Sequence, residues 1–202
     1  MDKKQYIERI SHRSDIALRL SHLTRGENSS AAYENLMKIL KEKKLKANNG
    51  YVVGQQNVVC FQEAPMNSIA ENLIYEKLLR KELGSPIIRY SAFGLRFDKS
   101  FIFRKGGRPV IYGKSKELKE ILPQEEWWRI VNMSLQSEEI IDWSHEREWR
   151  IKGDLEFSYN NVEVIVSSER YYKKFVKQCL EEGMEEMLCS IKGIITLSGV
   201  CF

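Results

Sequence analysis

The sequence predicts an α+β fold, with helices mostly in the first half of the chain around a mixed or antiparallel β-sheet core. Apolar residues recur at helical spacing mainly in the first half, whereas short apolar runs bounded by turn residues dominate the second half. This segregation is typical of α+β proteins. No repeat or Pro/Gly/Ser-rich linker interrupts the chain, so residues 1–202 are expected to form one domain.

Three helices and two strands are predicted in the first half. In chain order they are a helix over residues 3–13, a strand over 16–24, a helix from Ser30 to a turn at 48–50, a strand over 58–61, and a helix from Pro65 to Leu83. Apolar and polar residues alternate in the first strand, and the second helix has Ala32, Leu36 and Leu40 at helical spacing. Val58–Phe61 is typical of a buried strand, and Pro65 favours a helix start.

Strands dominate the second half. They are predicted over residues 91–97, 109–112, 148–151, 155–159, 162–166 and 194–197, with helices over 115–122 and 169–182. Lys152-Gly153-Asp154 predicts a hairpin between two of these strands. Ser115 and Ser168 are candidate helix caps, and Gly183 stands where glycine commonly ends a helix.

The composition indicates a globular protein, with 43% hydrophobic and 30% charged residues. No apolar run approaches the ~18 residues of a membrane span, and the N-terminus lacks a signal peptide's apolar stretch, so a cytoplasmic protein without membrane contact is expected. The cysteines and histidines lack metal-ligand spacing, so no metal is expected. A net charge of +4 mildly favours a polyanionic partner.

The densest polar and aromatic cluster covers Asp142–Arg150, where a loop enters a predicted strand. Alternation along a strand would place Glu146, Glu148 and Arg150 on one face. Two carboxylates there can divide roles, one stabilising positive charge and the other accepting a proton. The alternative is a solvated edge strand whose Glu and Arg residues pair across the sheet. The two tryptophans in the cluster favour a partly buried site.

Two further clusters precede it. His22 and Thr24 end the first predicted strand and share a face, so they can offer an imidazole and a hydroxyl to a sugar. The alternative for His22 is a hydrogen-bonded structural residue. In the segment Val59–Pro65, a buried strand delivers Glu63 to a loop. The chain has no phosphate loop, Ser/His/Asp order or zinc pattern.

In this order the clusters resemble the compact ADP-ribosyltransferase-like toxins and abortive-infection proteins of bacteria, of the DarT and AbiGi kind. The similar segments are His22-Leu23-Thr24, Asn35–Leu40, Val59–Pro65, Phe93–Lys99, Gly107–Tyr112 and Glu146–Arg150, the last of which looks like the Glu-x-Glu before a core strand in many ADP-ribosyltransferases. The resemblance implies an ADP-ribosyltransferase-like α+β fold with a split sheet. It also implies NAD as a substrate and release of nicotinamide.

The resemblance also implies roles for particular residues. Glu148 would stabilise the developing ribosyl cation, and Glu146 would activate the nucleophile. The expected NAD contacts are His22 and Thr24 at a ribose, Arg25 at the diphosphate, Phe93 or Tyr90 stacked on nicotinamide, Asn35, and a helix arginine that is either Arg89 or Arg80. His22 is expected to face the cleft that receives Glu148.

The resemblance implies an NAD-dependent ADP-ribosyltransferase toxin that acts in phage defence or a toxin–antitoxin system. Because the chain is basic, RNA or DNA is the preferred macromolecular acceptor and protein is the second choice. An antitoxin protein is a possible partner. The first alternative is a catalytically silent binding or antitoxin-like module of the same fold. The second is a metal-dependent nuclease that uses Asp142, Glu146 and Glu148.

Overall fold

A computed structural model describes residues 2–50, 52–83, 90–136 and 140–200. The strands are β1 (Arg19–Leu23), β2 (Lys44–Leu45), β3 (Val58–Gln62), β4 (Gly94–Asp98), β5 (Arg108–Pro109), β6 (Ile111–Gly113), β7 (Ile130–Asn132), β8 (Glu148–Lys152), β9 (Leu155–Glu156), β10 (Val162–Val166) and β11 (Gly193–Thr196). The helices are α1 (Lys3–Ser11), α2 (Ser29–Glu42), α3 (Met66–Leu83), α4 (Lys99–Arg104), α5 (Ser115–Ile121), α6 (Glu169–Glu181) and α7 (Glu185–Ser190). In these ranges no helix is both long and apolar enough to cross a membrane.

A seven-stranded sheet forms the centre of the fold, in the order β11-β10-β4-β1-β3-β8-β5. It is mixed, because β10 and β11 run parallel while the other neighbours run antiparallel. The predicted α+β class is therefore confirmed. Two short sheets, β2-β9 and β6-β7, lie outside the main one.

One face of the large sheet carries the main hydrophobic core. Leu20, Phe61 and Leu95 from three strands of the sheet are fully buried there. The amphipathic helices α2 and α6 add Leu36 and Phe175 to the same cluster. Asn28 precedes helix α2 and caps it, because its side chain accepts the backbone N–H of Ala31 at 3.0 Å.

The opposite face is polar over much of its width. Its cross-strand register aligns Ser21 with Gln62 and Gln62 with Glu148. On the other side of Ser21, Arg96 aligns with Glu163, and these two residues form an ion pair at 3.1 Å. Helix α3 covers part of this face, where Ala70 packs with Ile165 and Leu197. The face therefore combines an apolar contact with buried charges.

The predicted hairpin at Lys152-Gly153-Asp154 is wrong. Gly153 turns the chain with φ +69°, but β8 pairs with β3 and β5 on its two sides, and β9 pairs with β2. Strand β9 thus pairs away from β8, and its Leu155 is buried in the core. The predicted strand over 109–112 is also interrupted, because the Val110 N–H bonds the carbonyl of Glu148 and the chain then leaves the main sheet as β6.

Two cap predictions also need correction. Ser115 is the first residue of α5, and Lys114 occupies the cap position without a side-chain cap bond. The hydroxyl and N–H of Ser115 both donate to the side-chain oxygen of Asn132. Ser168 occupies the cap position of α6 but makes no side-chain cap bond. Gly183, with φ +67°, follows that helix as predicted.

Candidate active site

Glu148 is the first residue of β8, and its carboxylate pairs with Arg150 on the same strand. Nε of Arg150 lies 2.8 Å from one carboxylate oxygen and Nη2 lies 3.2 Å from the other. The two side chains are only 12% and 7% exposed. Nη1 of Arg150 donates to the carbonyls of Trp128 and Ile130. The cost of burying the two charges is therefore offset by a bidentate pair with satisfied donors.

The chain enters β8 through a tight turn. A 3-10 turn over Ser144–Glu146 is followed by Arg147 in the left-handed region, with φ 45°. That conformation costs a residue with a side chain about 1–2 kcal/mol. The backbone of Arg147 is held by Glu63, whose N–H donates to its carbonyl at 3.2 Å, and its guanidinium donates to the carbonyl of Asp15.

This turn corrects one sequence prediction. Glu148 and Arg150 share a face, as expected, and Trp149 is buried on the other. Glu146, however, lies before the strand, so alternation along β8 does not set its direction. Its closeness to Glu148 comes from the turn.

Glu146 is held by two polar side chains. The hydroxyl of Tyr90 donates to its carboxylate, and Gln62 bonds it as well. Burial raises the pKa of Glu146 above its ordinary value, and the negative charge of Glu148 raises it further, while the hydrogen bond from Tyr90 opposes the shift. Burial also raises the pKa of Tyr90, so this hydroxyl stays a donor. Two adjacent carboxylates thus have different surroundings, a cation for Glu148 and a phenol for Glu146.

A cleft of about 310 Å³ opens beside Glu146, between helix α3 and the ends of β3 and the turn before β8. Its volume is at the lower end of the range for small-molecule sites. The cleft is lined by Gln62, Ala64, Ser68, Ile69, Glu71, Asn72, Tyr75, His145 and Glu146. Amide, hydroxyl and aromatic groups therefore surround one of the two carboxylates.

His22 and Thr24 do not lie where the sequence analysis places them. Ser21 aligns with Gln62 and so with Glu148, and His22, the next residue of β1, points to the opposite face. Its Nδ1 lies 2.8 Å from the carbonyl oxygen of Cys60, and its ring packs edge-on against Phe61. Burial lowers the pKa of His22. The expectation that His22 faces the cleft that receives Glu148 is therefore wrong.

Thr24 is buried, and its hydroxyl lies 3.1 Å from each of two carbonyl oxygens, those of Ala32 and Phe93. It joins the end of β1 to α2 and to the strand beside it. Phe93 is fully buried, with its ring edge-on to Tyr33 and Tyr171, so the expected stacking of Phe93 on nicotinamide is wrong. Tyr90, the other candidate, is half-buried at the carboxylates.

Arg25 is exposed and lies near enough to Tyr90 for its charge to oppose the rise in that pKa. Asn35 donates from its side chain to the carbonyl of Arg25 at 2.6 Å, so it supports the loop that carries this guanidinium. The structure thus brings both Arg25 and Glu146 near Tyr90. Arg89 and the side chain of Arg80 lie outside the described residues.

Asp142 accepts the backbone N–H of Ser144 at 2.8 Å and stabilises the turn before β8. Over the described ranges, no three carboxylate, histidine or cysteine groups gather in a way that would hold a metal ion. The trio of Asp142, Glu146 and Glu148 is therefore not assembled. The contacts of Glu63 are structural: its carboxylate accepts the indole N–H of Trp149 at 2.7 Å and pairs with Lys99.

Sequence reasoning missed three residues around the two carboxylates. Gln62 bonds Glu146, and Cys60 aligns with Arg150 on the same face. The phenol oxygen of Tyr112 accepts the backbone N–H of Glu148 at 2.9 Å. Gln62 and Tyr112 both lie in segments that the sequence analysis singled out, but only strand pairing shows which partner each one meets.

No protein-family model matches this sequence, and no curated protein or solved structure is similar to it at a significant level.

Proposed function

We propose that the protein is an NAD-dependent ADP-ribosyltransferase that transfers ADP-ribose to a macromolecular acceptor. One observation carries this proposal: the adjacent carboxylates Glu146 and Glu148 have different partners, and Glu146 lines a cleft of small-molecule size. Enzymes that break glycosidic bonds commonly use a pair of carboxylates with different roles. The resemblance of Glu146–Arg150 to a Glu-x-Glu motif supports the same conclusion.

In this proposal Glu148 stabilises the cation. As the bond between C1 of the ribose and the nicotinamide nitrogen breaks, its electron pair leaves with nicotinamide and positive charge develops on the sugar. A fixed carboxylate beside that carbon lowers the energy of the transition state. Arg150 donates to two lone pairs of the Glu148 carboxylate and fixes the orientation of this group. The remaining lone pairs can accept a hydrogen bond from a ribose hydroxyl.

Glu146 acts as the base for the incoming nucleophile. A carboxyl whose pKa is raised by burial is a stronger base once ionised than an ordinary glutamate. It takes the proton of the acceptor group as that group bonds to C1 of the ribose. Tyr90, which donates to Glu146, orients the carboxylate for this transfer.

The cleft beside Glu146 has room for part of NAD. We place the nicotinamide and its ribose there, against Tyr75 and the amides of Gln62 and Asn72. The diphosphate then extends toward Arg25, whose charge reaches Tyr90. His22, Thr24 and Phe93 have no part in this arrangement, because their side chains are engaged elsewhere.

The test is to incubate the protein with labelled NAD and separate pools of RNA, DNA and cell protein, and to measure nicotinamide release and label transfer. Transfer to one pool, lost in Glu148→Gln, supports the proposal. We further propose a toxic role, so that expression of the wild-type chain arrests bacterial growth and expression of Glu148→Gln does not.

A second candidate is a catalytically silent binding module of the same fold. The observation in its favour is the bidentate pair of Glu148 with Arg150, an arrangement that also serves structure alone. In the same experiment this candidate predicts no release of nicotinamide from NAD with any pool.

A further inference from the structure

A second cleft, of about 300 Å³, lies at the opposite end of β8 from Glu148. It is bounded by Lys152 at the end of this strand, Arg108 on β5, Lys105 after α4, and Trp128 and Arg129 of the 3-10 helix Gln124–Arg129. Lys152 lies four positions after Glu148, which is about 13 Å along an extended strand. The two clefts are therefore separate sites on one strand.

The second cleft is positively charged. Four of its side chains are cations, and the one carboxylate among its lining residues, Glu126, pairs with Arg129 at 3.0 Å, which leaves three positive charges in excess. The cleft beside Glu146 has the opposite character, with two glutamates and no lysine or arginine among those of its lining residues that the structure describes. The lining charges thus favour a polyanion at the second cleft over the cleft beside Glu146.

Neutral carbonyl groups hold these cations in place. Nη1 of Arg108 donates to the carbonyls of Phe103 and Gly107 at 3.0 and 2.7 Å. Nε of Arg129 donates to Pro109, and Nζ of Lys152 donates to Glu125, each through the backbone carbonyl. Arg129 also pairs with Glu126, but Arg108 and Lys152 keep their charge, because carbonyls orient a cation without cancelling it. These two side chains are therefore arranged for an anionic ligand in advance.

Aromatic rings alternate with the cations. The Arg108 guanidinium lies 4.0 Å from the ring centroid of Phe103, a side chain that is 51% exposed. The Lys152 ammonium lies 5.2 Å from the ring of Trp128, which is buried. The Trp128 indole N–H has no acceptor in the part of the chain that the structure describes, although buried donors rarely lack one.

We propose that this cleft binds single-stranded nucleic acid, with backbone phosphates at Arg108, Arg129 and Lys152 and a base stacked at the Arg108–Phe103 pair. Phosphate oxygens match the guanidinium fork, and bases stack on aromatic rings and guanidinium planes. An acidic protein has the charge for this site but no base to stack. The proposal that the bound nucleic acid is the acceptor of ADP-ribose rests on the proposed function. The proposal that the cleft binds single-stranded nucleic acid does not depend on it.

The test measures binding of short labelled single-stranded RNA and DNA of one sequence by fluorescence anisotropy, without NAD and at several salt concentrations. The variant carries Arg108→Gln, Arg129→Gln and Lys152→Gln together. We expect its affinity to fall about tenfold or more, and the slope of log K against log salt to shrink by about 2, since each phosphate contact contributes about 0.7. The RNA and DNA arms show which of the two is preferred.

The matched control carries Arg170→Gln, Lys173→Gln and Lys177→Gln, three exposed cations of α6, and so has the same change in net charge. It should keep at least most of the wild-type affinity. Phe103→Ala, at an exposed position, should weaken binding and leave the salt slope unchanged, because stacking is not ionic. Circular dichroism establishes that each variant is folded.

Equal losses in the two triple variants would overturn the proposal, as would equally tight, cleft-dependent binding of a polyglutamate peptide. Failure here and failure of the proposed function give different results. Cleft-dependent binding without NAD cleavage supports the binding site and contradicts the transferase. NAD cleavage without oligonucleotide binding supports the transferase and contradicts the binding site.

Discussion

Replacing Glu148 with Gln removes one charge from a buried ion pair and keeps nearly the same shape. Removing one partner of a buried pair costs about 3–5 kcal/mol when the other charge is left alone. Here Arg150 keeps two carbonyl acceptors, and the amide oxygen of Gln can replace one carboxylate contact. We therefore expect a smaller loss of unfolding free energy, about 1–3 kcal/mol, with the fold retained.

The same substitution should reduce NAD cleavage on the order of a hundredfold or more, because a neutral amide cannot stabilise a developing cation. The assay is nicotinamide release at saturating NAD, corrected for the folded fraction, together with the melting temperature of the same preparation. A loss of 1 kcal/mol lowers the melting temperature of a chain of this size by about 2–4 °C.

Glu163→Gln is the matched control. Glu163 is also a buried carboxylate on the polar face of the sheet, where it pairs with Arg96 and Arg19, and its side chain is 11% exposed. We expect it to lose similar stability and to keep NAD cleavage. If Glu148→Gln melts lower but cleaves NAD within a few-fold of wild type, Glu148 is a structural residue and the catalytic assignment is refuted.

Three other substitutions test the surrounding residues. Glu146→Gln should reduce transfer to the acceptor more than hydrolysis of NAD by water, and equal losses would argue for a shared role. Burial raises the pKa of Glu146 in the native state above its ordinary value of 4.5. Between pH 4.5 and the raised pKa the native state binds more protons than the unfolded state, so wild-type stability falls as pH rises through this range. The stability of Glu146→Gln relative to wild type should therefore increase with pH, and a constant difference between the melting curves would contradict the shift. His22→Ala should lower the unfolding free energy by about 1–3 kcal/mol, because it removes the side chain that bonds the Cys60 carbonyl. It should not change NAD affinity in calorimetry. Weaker NAD binding with unchanged stability would show that His22 contacts NAD. Thr24→Val should cost about 1–2 kcal/mol in chemical denaturation, and a neutral effect would show that its buried hydroxyl bonds contribute nothing.

The sequence alone determined the class of the fold and most of its longer elements. Helical spacing located α2 and α6, and the run Val162–Val166 is a strand with the predicted bounds. These patterns are local, because one buried face repeats every 3.6 or 2 residues whatever lies opposite. Shorter elements such as α4, α7 and β2 were missed, because a pattern of two to six residues holds too few repeats to identify a period.

The arrangement of the candidate site was decided by tertiary structure. The sequence indicated that Glu146 and Glu148 are close, because they are two residues apart. The pairing of β1 with β3, and of β3 with β8, decided that His22 lies on the opposite face, since a shift of one residue in register reverses the direction of every side chain. Tyr90 and Gln62 reach Glu146 from distant parts of the chain, and such contacts depend on packing that no local pattern records.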